Sequence, residues 1–345
     1  MIRVLVVDDS AFSRVTLSRM IEADPGMKVV AAAVNGEEAI RLAVSCEPDL
    51  ITLDLEMPGL DGFAVLRWLG SNRPTPTVVV SSRHAREDVF RALELGAVDF
   101  IVKPQATASP EYSKLEGVLI EKLRSAAGAR VVRPVVVGRL APPEPAPLGT
   151  GVLVIGASTG GPSALSTLFS ALPAIPYPIV VAQHMPPGFT RLFAQRLGRI
   201  AAFPVEEAGD GRRAKPGAAY VVPGGGHVEL TGEPENARFR LFPRLSKDLY
   251  APSVDRLFRS AADLFGARTV AVVLTGMGSD GREGVVSVRA AGGRTIAESK
   301  ESAVVFGMPR EAADSGAVDE VLPLGELPQA LLRVLSSMGD LKLRA

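Results

Sequence analysis

Residues 152–165 read VLVIGASTGGPSAL, and the reading of this stretch decides the architecture around it. The run VLVI is too short for a helix and shows no apolar–polar alternation, so it predicts a buried strand. GASTGG breaks the run with a tight turn, and PSAL opens a helical pattern. Strand, turn and helix in this order, with a strand rich in Val, Leu and Ile, predict a parallel sheet covered on both faces. The unit recurs downstream. PIVVAQH (178–184) precedes a helix from Gly188, and TVAVVLT (269–275) precedes further βα units to about Leu335. Between them, AAYVVPGGGHVEL (218–230) and ARFRLF (237–242) are short and turn-rich, which predicts an inserted β-hairpin. A helical run follows from Ser253 to Phe265. The expectation for 151–340 is a doubly wound, mostly parallel α/β domain with a β-hairpin insertion.

Upstream, apolar runs alternate with helical patterns over residues 1–125. Strands are predicted at Arg3–Val7, Val29–Ala33, Leu50–Asp54, Thr77–Ser81 and Asp99–Val102. Helices are predicted to start near Ala11, Gly36, Asp61, Arg86 and Glu111. Five βα units form one flavodoxin-like (βα)5 domain with strand order 2-1-3-4-5. Residues 126–150 form a linker. Its core, RPVVVGRLAPPEPAPLGTG (133–151), holds five prolines, three glycines and one acidic residue, the composition of an extended, semi-rigid spacer. The last residues, GDLKLRA (339–345), read as a frayed tail.

The chain of 345 residues fits two domains. Lys plus Arg and Asp plus Glu both total 38, so there is no basic surplus and nucleic acid is not an expected partner. With 47% hydrophobic and 22% charged residues the chain can build sizeable cores. A single cysteine, Cys46, excludes an intramolecular disulfide framework and a cysteine-based zinc cluster. The N-terminus lacks the apolar core of a signal peptide, because Asp8 and Asp9 interrupt it, and no apolar run is long enough to span a membrane. The chain is therefore expected to be a cytoplasmic protein with no direct membrane insertion.

Two clusters carry chemistry. In the first domain, Asp8 and Asp9 end strand 1 and Asp54 ends strand 3, neighbours at the switch point where ligands bind in this fold. Three converging carboxylates repel unless a cation joins them, and hard oxygen donors suit Mg²⁺. Lys103 reaches the same edge as a fixed positive charge, and Ser81 offers a hydroxyl. In the second domain, Ser158 and Thr159 stand at a helix N-terminus, where backbone N–H groups favour developing negative charge. A nucleotide-binding turn is the competing reading, but GASTGG is not G-x-G-x-x-G and no Walker A lysine follows. His184 ends PIVVAQH, and Asp280 lies in LTGMGSDG after TVAVVLT. A serine needs a base, and the base needs an acid that fixes its tautomer, so these three residues form a candidate triad in the order Ser, His, Asp. That order differs from the α/β-hydrolases, chymotrypsin and subtilisin. Of the other histidines, His84 reads as surface. His227 reads as a turn residue, with a place in the cleft as the alternative. No pair of histidines has metal-ligand spacing.

The first domain resembles the receiver domain of two-component response regulators, on DD (8–9), DLEMPGLDG (54–62), SS (81–82) and KP (103–104). The resemblance implies that Asp54 accepts a phosphoryl group from a histidine kinase. It implies that Asp9, Asp54 and the carbonyl of Glu56 hold Mg²⁺, with Asp8 acting mostly through water, and that Ser81 and Phe100 are the switch pair. The whole chain resembles the response-regulator protein-glutamate methylesterases of chemotaxis, on IGASTGG (155–161), QHMPPGFT (183–190), YAPSVDRLF (250–258), LTGMGSDG (274–281) and VVFGMPREA (304–312). This implies hydrolysis of glutamate γ-methyl esters on chemoreceptors and release of methanol, with deamidation of receptor glutamines as a second activity. Ser158 would be the nucleophile, His184 the base and Asp280 the orienting acid, with Thr159 and Met277 beside the reaction and no cofactor in the esterase step. A monomer is expected. Ser279, where the family pattern has Asn, and the GGG at 224–226 are departures. The alternatives are a non-enzymatic receptor-binding regulator and a methylesterase of a methyl-accepting array outside chemotaxis.

Overall fold

The computed structural model describes residues 1–81, 86–103, 111–129, 138–141 and 150–338, with only the backbone of 111–114. His84, Ser82, Pro104, most of the proline-rich segment and the tail at 339–345 lie outside the described residues. The chain divides into two compact units, Met1–Arg133 and Pro134–Ala345.

In the first unit the elements run β1 (Ile2–Val7), α1 (Ala11–Glu22), β2 (Met27–Ala33), α2 (Gly36–Cys46), β3 (Leu50–Leu53), α3 (Gly62–Asn72), β4 (Thr77–Ser81), α4 (Arg86–Glu94), β5 (Asp99–Val102) and α5 (Glu111–Ala127). The strands form one parallel sheet in the order β2-β1-β3-β4-β5, as expected. Side-chain oxygens start three of the helices. Ser10 accepts from Ser13 N, Asn35 from Glu38 N and Asp61 from Ala64 N, each satisfying a free amide of the first turn. β3 and β4 are buried along their whole length, which is why their sequences show no alternation.

The second unit runs β6 (Val152–Ala157), α6 (Gly161–Ala171), β7 (Ile179–Gln183), α7 (Thr190–Ile200), β8 (Val205–Glu207), β9 (Ala219–Val221), β10 (Gly226–Thr231), β11 (Arg238–Pro243), α8 (Val254–Phe265), β12 (Thr269–Val273), α9 (Arg282–Ala290), β13 (Arg294–Glu298), α10 (Met308–Asp314), β14 (Glu320–Leu322) and α11 (Leu327–Ser337). Seven strands form a parallel sheet in the order β14-β13-β12-β6-β7-β9-β8. β10 and β11 pair as an antiparallel hairpin outside this sheet. The turn-rich stretch from residue 218 is thus shared. β9, buried at every position, enters the main sheet, whereas the alternating β11 can leave one face to solvent. The helix expected from Gly188 begins at Thr190, because Gly188 has φ +82° and cannot join it.

α8 buries Val254, Leu257, Phe258, Ala261, Ala262 and Phe265, a single stripe at helical spacing. The stripe covers β6 and β10, and α8 also packs on α9. Burying Leu257 and Phe258 completely stabilises this layer by roughly 1.5–3 kcal/mol each. That packing fixes where the first turn of α8 meets the carboxyl edge of the sheet.

Candidate functional site

β6 lies between β7 and β12, with Ala157 opposite Gln183 and Gly156 opposite Val273. Ser158, His184 and Thr275 therefore leave the sheet side by side at its carboxyl edge. Ser158 N donates to Thr275 O at 3.0 Å, and His184 N donates to Ala157 O at 2.9 Å. Gln183 Nε2 donates to Ser158 O at 2.8 Å and to His184 O at 3.1 Å, so one buried amide ties the two main chains together. The turn after Ser158 needs Gly160, whose φ is +78° and where a Cβ would strike Val304. Gly276 permits the close approach of the neighbouring turn, since a Cβ there would sit 2.7 Å from Ser158 Cβ. α6 begins at Gly161, whose amide donates to Ser158 O at 2.8 Å, so the positive end of the helix dipole lies next to the serine turn.

His184 Nε2 and Asp280 Oδ2 are 2.8 Å apart, and the Asp280 side chain is 2% exposed. Asp280 also accepts from Val254 N (2.7 Å), Asp255 N (2.9 Å) and Ser253 Oγ (3.2 Å), which places its carboxylate on the N-terminus of α8. Asp255, in the first turn of α8, reciprocates by accepting from Gly281 N and Gly284 N at the start of α9. Each helix thus begins on a carboxylate supplied from the other. Burial alone raises the Asp280 pKa, but the hydrogen bond to His184, its charge and the two amides outweigh burial and hold the group below the usual carboxylate value. Asp255 goes the other way, to about 6, through burial first and then the neighbouring Asp280 charge. With Asp280 ionised, His184 Nε2 carries the ring proton and Nδ1 keeps the lone pair. Among the described residues no hydrogen bond joins Ser158 Oγ to the ring, and apo sites often leave this contact open. Thr159 is buried, Met277 half-buried and Ser279 exposed, the last two in the turn that carries Asp280.

In the first unit, carboxylate oxygens of Asp8, Asp9 and Asp54 lie within 4.8 Å of one another at the ends of β1 and β3. This all-oxygen set suits a hard divalent cation such as Mg²⁺. Lys103 pairs with Asp54 and, at 2.7 Å, with Asp8. Burial opposes the Lys103 charge, but Asp54 and Asp8 outweigh it and raise its pKa. Burial, helped by the Asp8 charge, raises Asp54 by more than Lys103 lowers it. Glu56 N donates to Asp54 Oδ1 at 3.3 Å, so the Glu56 backbone borders the same pocket. Ser81 Oγ is buried with no hydrogen-bond partner among the described residues. Phe100 is buried on β5, with Lys122 Nζ 5.3 Å from its ring centroid.

Three participants escaped the sequence reading. Tyr250 stacks on His184, with centroids 4.9 Å apart and planes at 6°. His227, read as a turn residue, is 2% exposed and paired with Asp248. Glu298, buried at the end of β13, accepts at 2.8 Å from the amide of Thr275, whose carbonyl accepts from Ser158 N.

These units define a class: a receiver-type domain joined to an α/β domain whose serine turn lies beside a histidine paired with a buried carboxylate. Comparison with known proteins narrows it. Residues 153–331 match the family model of CheB methylesterase, and residues 4–109 match that of the response regulator receiver domain. The chain is 48% identical over 335 residues, 96% of each chain, to protein-glutamate methylesterase/protein-glutamine glutaminase 1 of Myxococcus xanthus. It is 42% identical to the corresponding protein 3 of Geobacter sulfurreducens, covering 98% of this chain and 99% of that one. Its second unit is similar to the crystal structure of the Thermotoga maritima CheB methylesterase catalytic domain, at 43% identity and a TM-score of 0.51, covering 52% of this chain and 96% of that one. The chain belongs to the CheB methylesterase family and carries a response regulator receiver domain.

Proposed function

We propose that this chain hydrolyses glutamate γ-methyl esters on chemoreceptors, and deamidates receptor glutamines, under control of phosphorylation in its receiver domain. In this reading the receiver spans 1–125, the linker 126–150 and the methylesterase domain 151–340. The observation that carries the catalytic part is the buried Asp280 carboxyl, held below its usual pKa and 2.8 Å from His184 Nε2, which supports Nδ1 as the nitrogen that takes the serine proton.

Ser158 Oγ attacks the ester carbonyl carbon while its proton passes to His184 Nδ1. Asp280 stabilises the imidazolium that forms. The tetrahedral oxyanion develops at the N-terminus of α6, where helix amides and dipole favour negative charge. Thr159 and Met277 border this position. His184 then returns the proton to the departing methoxide, and methanol leaves an acyl-enzyme on Ser158. Water, deprotonated by the same nitrogen, releases the glutamate. A glutamine follows the same route with ammonia leaving, and it reacts more slowly because an amide is the poorer electrophile.

In the receiver, Asp54 is the phosphoacceptor for a chemotaxis histidine kinase. Asp9, Asp54 and the Glu56 carbonyl would hold Mg²⁺ directly and Asp8 through water. When bound, the ion neutralises charge between the carboxylates and the incoming phosphoryl group. Lys103 offers a fixed positive charge to the phosphoryl oxygens, and the Ser81 hydroxyl, without a partner among the described residues, offers a hydrogen bond, with Phe100 as its partner in the switch. The reading puts the protein in the cytoplasm as a monomer, with chemoreceptors and the kinase as its partners.

Methanol release from methylated receptor tests the catalytic reading. Wild type is expected to release methanol, and Ser158→Ala to lose several orders of magnitude in rate with the fold intact. Activity of Ser158→Ala within about tenfold of wild type, a barrier change of only ~1.4 kcal/mol, would remove Ser158 as nucleophile.

A further inference from the structure

We propose that His227 is a positioning residue of the active site: its ring ties both ends of the segment 248–253 and so holds Tyr250 against His184 and Ser253 against Asp280. The proposal rests on the catalytic reading of Ser158, His184 and Asp280.

His227 is the second residue of β10, and its side chain is 2% exposed. Both ring nitrogens are committed. Nδ1 accepts from Ser253 N at 3.2 Å, so it holds a lone pair. The ring proton is therefore on Nε2, which donates to Asp248 Oδ2 at 2.8 Å. The same carboxylate oxygen accepts from Leu245 N at 2.7 Å and closes the turn before the segment. That amide and His227 keep the Asp248 carboxyl below its usual value, which suits an acceptor of two hydrogen bonds.

The two ends matter because of what lies between and beyond them. Tyr250, midway, stacks on the ring of His184. Its hydroxyl lies against Gly278, in the turn that carries Asp280, and a Cβ on Gly278 would collide with it. Ser253, at the far end, caps α8 and donates Oγ to Asp280 Oδ1 at 3.2 Å. One buried imidazole thus stands behind the aromatic face of the base and one donor to its acid partner. A tyrosine face against the base favours the protonated imidazole that forms during turnover. Misplacing a catalytic ring by about 1 Å can cost on the order of 100-fold in rate. Among the described residues, the titratable side chains in contact with these rings are Asp280 and Tyr250 at His184 and Asp248 at His227, with Asp255 beside Asp280.

The test uses the full chain with phosphodonor, methylated receptor as substrate, and Ser158→Ala as a parallel control. His227→Leu removes both hydrogen bonds. It is expected to lower kcat by roughly 10- to 100-fold with little change in KM, and to move the acid limb of the kcat/KM profile to lower pH. His227→Gln, which offers an acceptor to Ser253 and a donor to Asp248, is expected to restore most of kcat. Tyr250→Leu leaves His227 in place and is expected to reproduce the shift of the acid limb, whereas Tyr250→Phe is not. Should His227→Leu fail to fold, the Tyr250 pair decides alone. The proposal is overturned if His227→Leu lowers thermal stability but keeps kcat and the acid limb, or if Tyr250→Leu leaves the limb unmoved. An active Ser158→Ala would instead overturn the catalytic reading beneath it.

Discussion

Asp280 accepts four hydrogen bonds while almost fully buried, and three of them come from the start of α8 rather than from the base it serves. The contact with His184 and, after it, the amides at the start of α8 hold the Asp280 carboxyl below its usual value, and the carboxylate then favours the His184 tautomer with its proton on Nε2. Asp280→Asn should therefore lower esterase activity by about 10³–10⁴-fold at neutral pH, because an amide can hold the ring with its proton on the wrong nitrogen. Rates of methanol release on folded variant check this, and a loss below about tenfold would assign the orienting role to another carboxylate. At this scale the sequence was informative about groups that end strands. Ser158, His184, Asp8 and Asp54 each follow an apolar run that announces its own end. Asp255 was not legible, because its partner amides come from a helix far along the chain. His227 was misread for a related reason. Strand alternation puts it on the face opposite Val228 and Leu230, and what buries it is the 248–253 segment, a contact no period reveals.

Among elements, β13 carries an unusual load. Burial pushes the Glu298 carboxyl up to about 7, against the opposing hydrogen bonds from Thr275 N and Ser302 Oγ. Its folded pKa lies above the unfolded value near 4.5, so the folded chain binds the proton more tightly. The associated stability is complete below about pH 4.5 and is lost as pH rises through about 7. That window corresponds to about 3 kcal/mol at most. Glu298→Gln, neutral at every pH, is expected to remove this dependence, and urea unfolding at pH 5 and pH 8 would show it. Wild type should lose stability between the two relative to the variant, and parallel behaviour would mean that Glu298 is not protonated in the fold. The elements themselves were readable to within a residue or two, since continuous apolar runs and capping residues such as Asn35 and Asp61 act locally. The exceptions were β8, which the sequence reading did not place, and β9. Its three residues resemble a hairpin arm in composition, and only pairing with β7 and β8 assigns it to the main sheet.

For the whole molecule, the central claim is that phosphorylation at Asp54 governs chemistry at Ser158. The two units have separate cores and separate sites, so the coupling can be cut. A chain lacking residues 1–140 is expected to hydrolyse receptor esters faster than the unphosphorylated full chain and to ignore phosphodonor. A rate no higher than that of the full chain would show that the receiver activates the catalytic unit instead of restraining it. A coupling of only a few kcal/mol suffices for such a shift in population. The most direct measurement is methanol release from methylated receptor by the full chain, with and without a small phosphodonor and Mg²⁺, beside Asp54→Asn. Wild type is expected to accelerate only when donor and Mg²⁺ are both present, and Asp54→Asn to stay at the basal rate. Equal rates for wild type in all conditions, or donor-dependent acceleration of Asp54→Asn, would contradict the central claim.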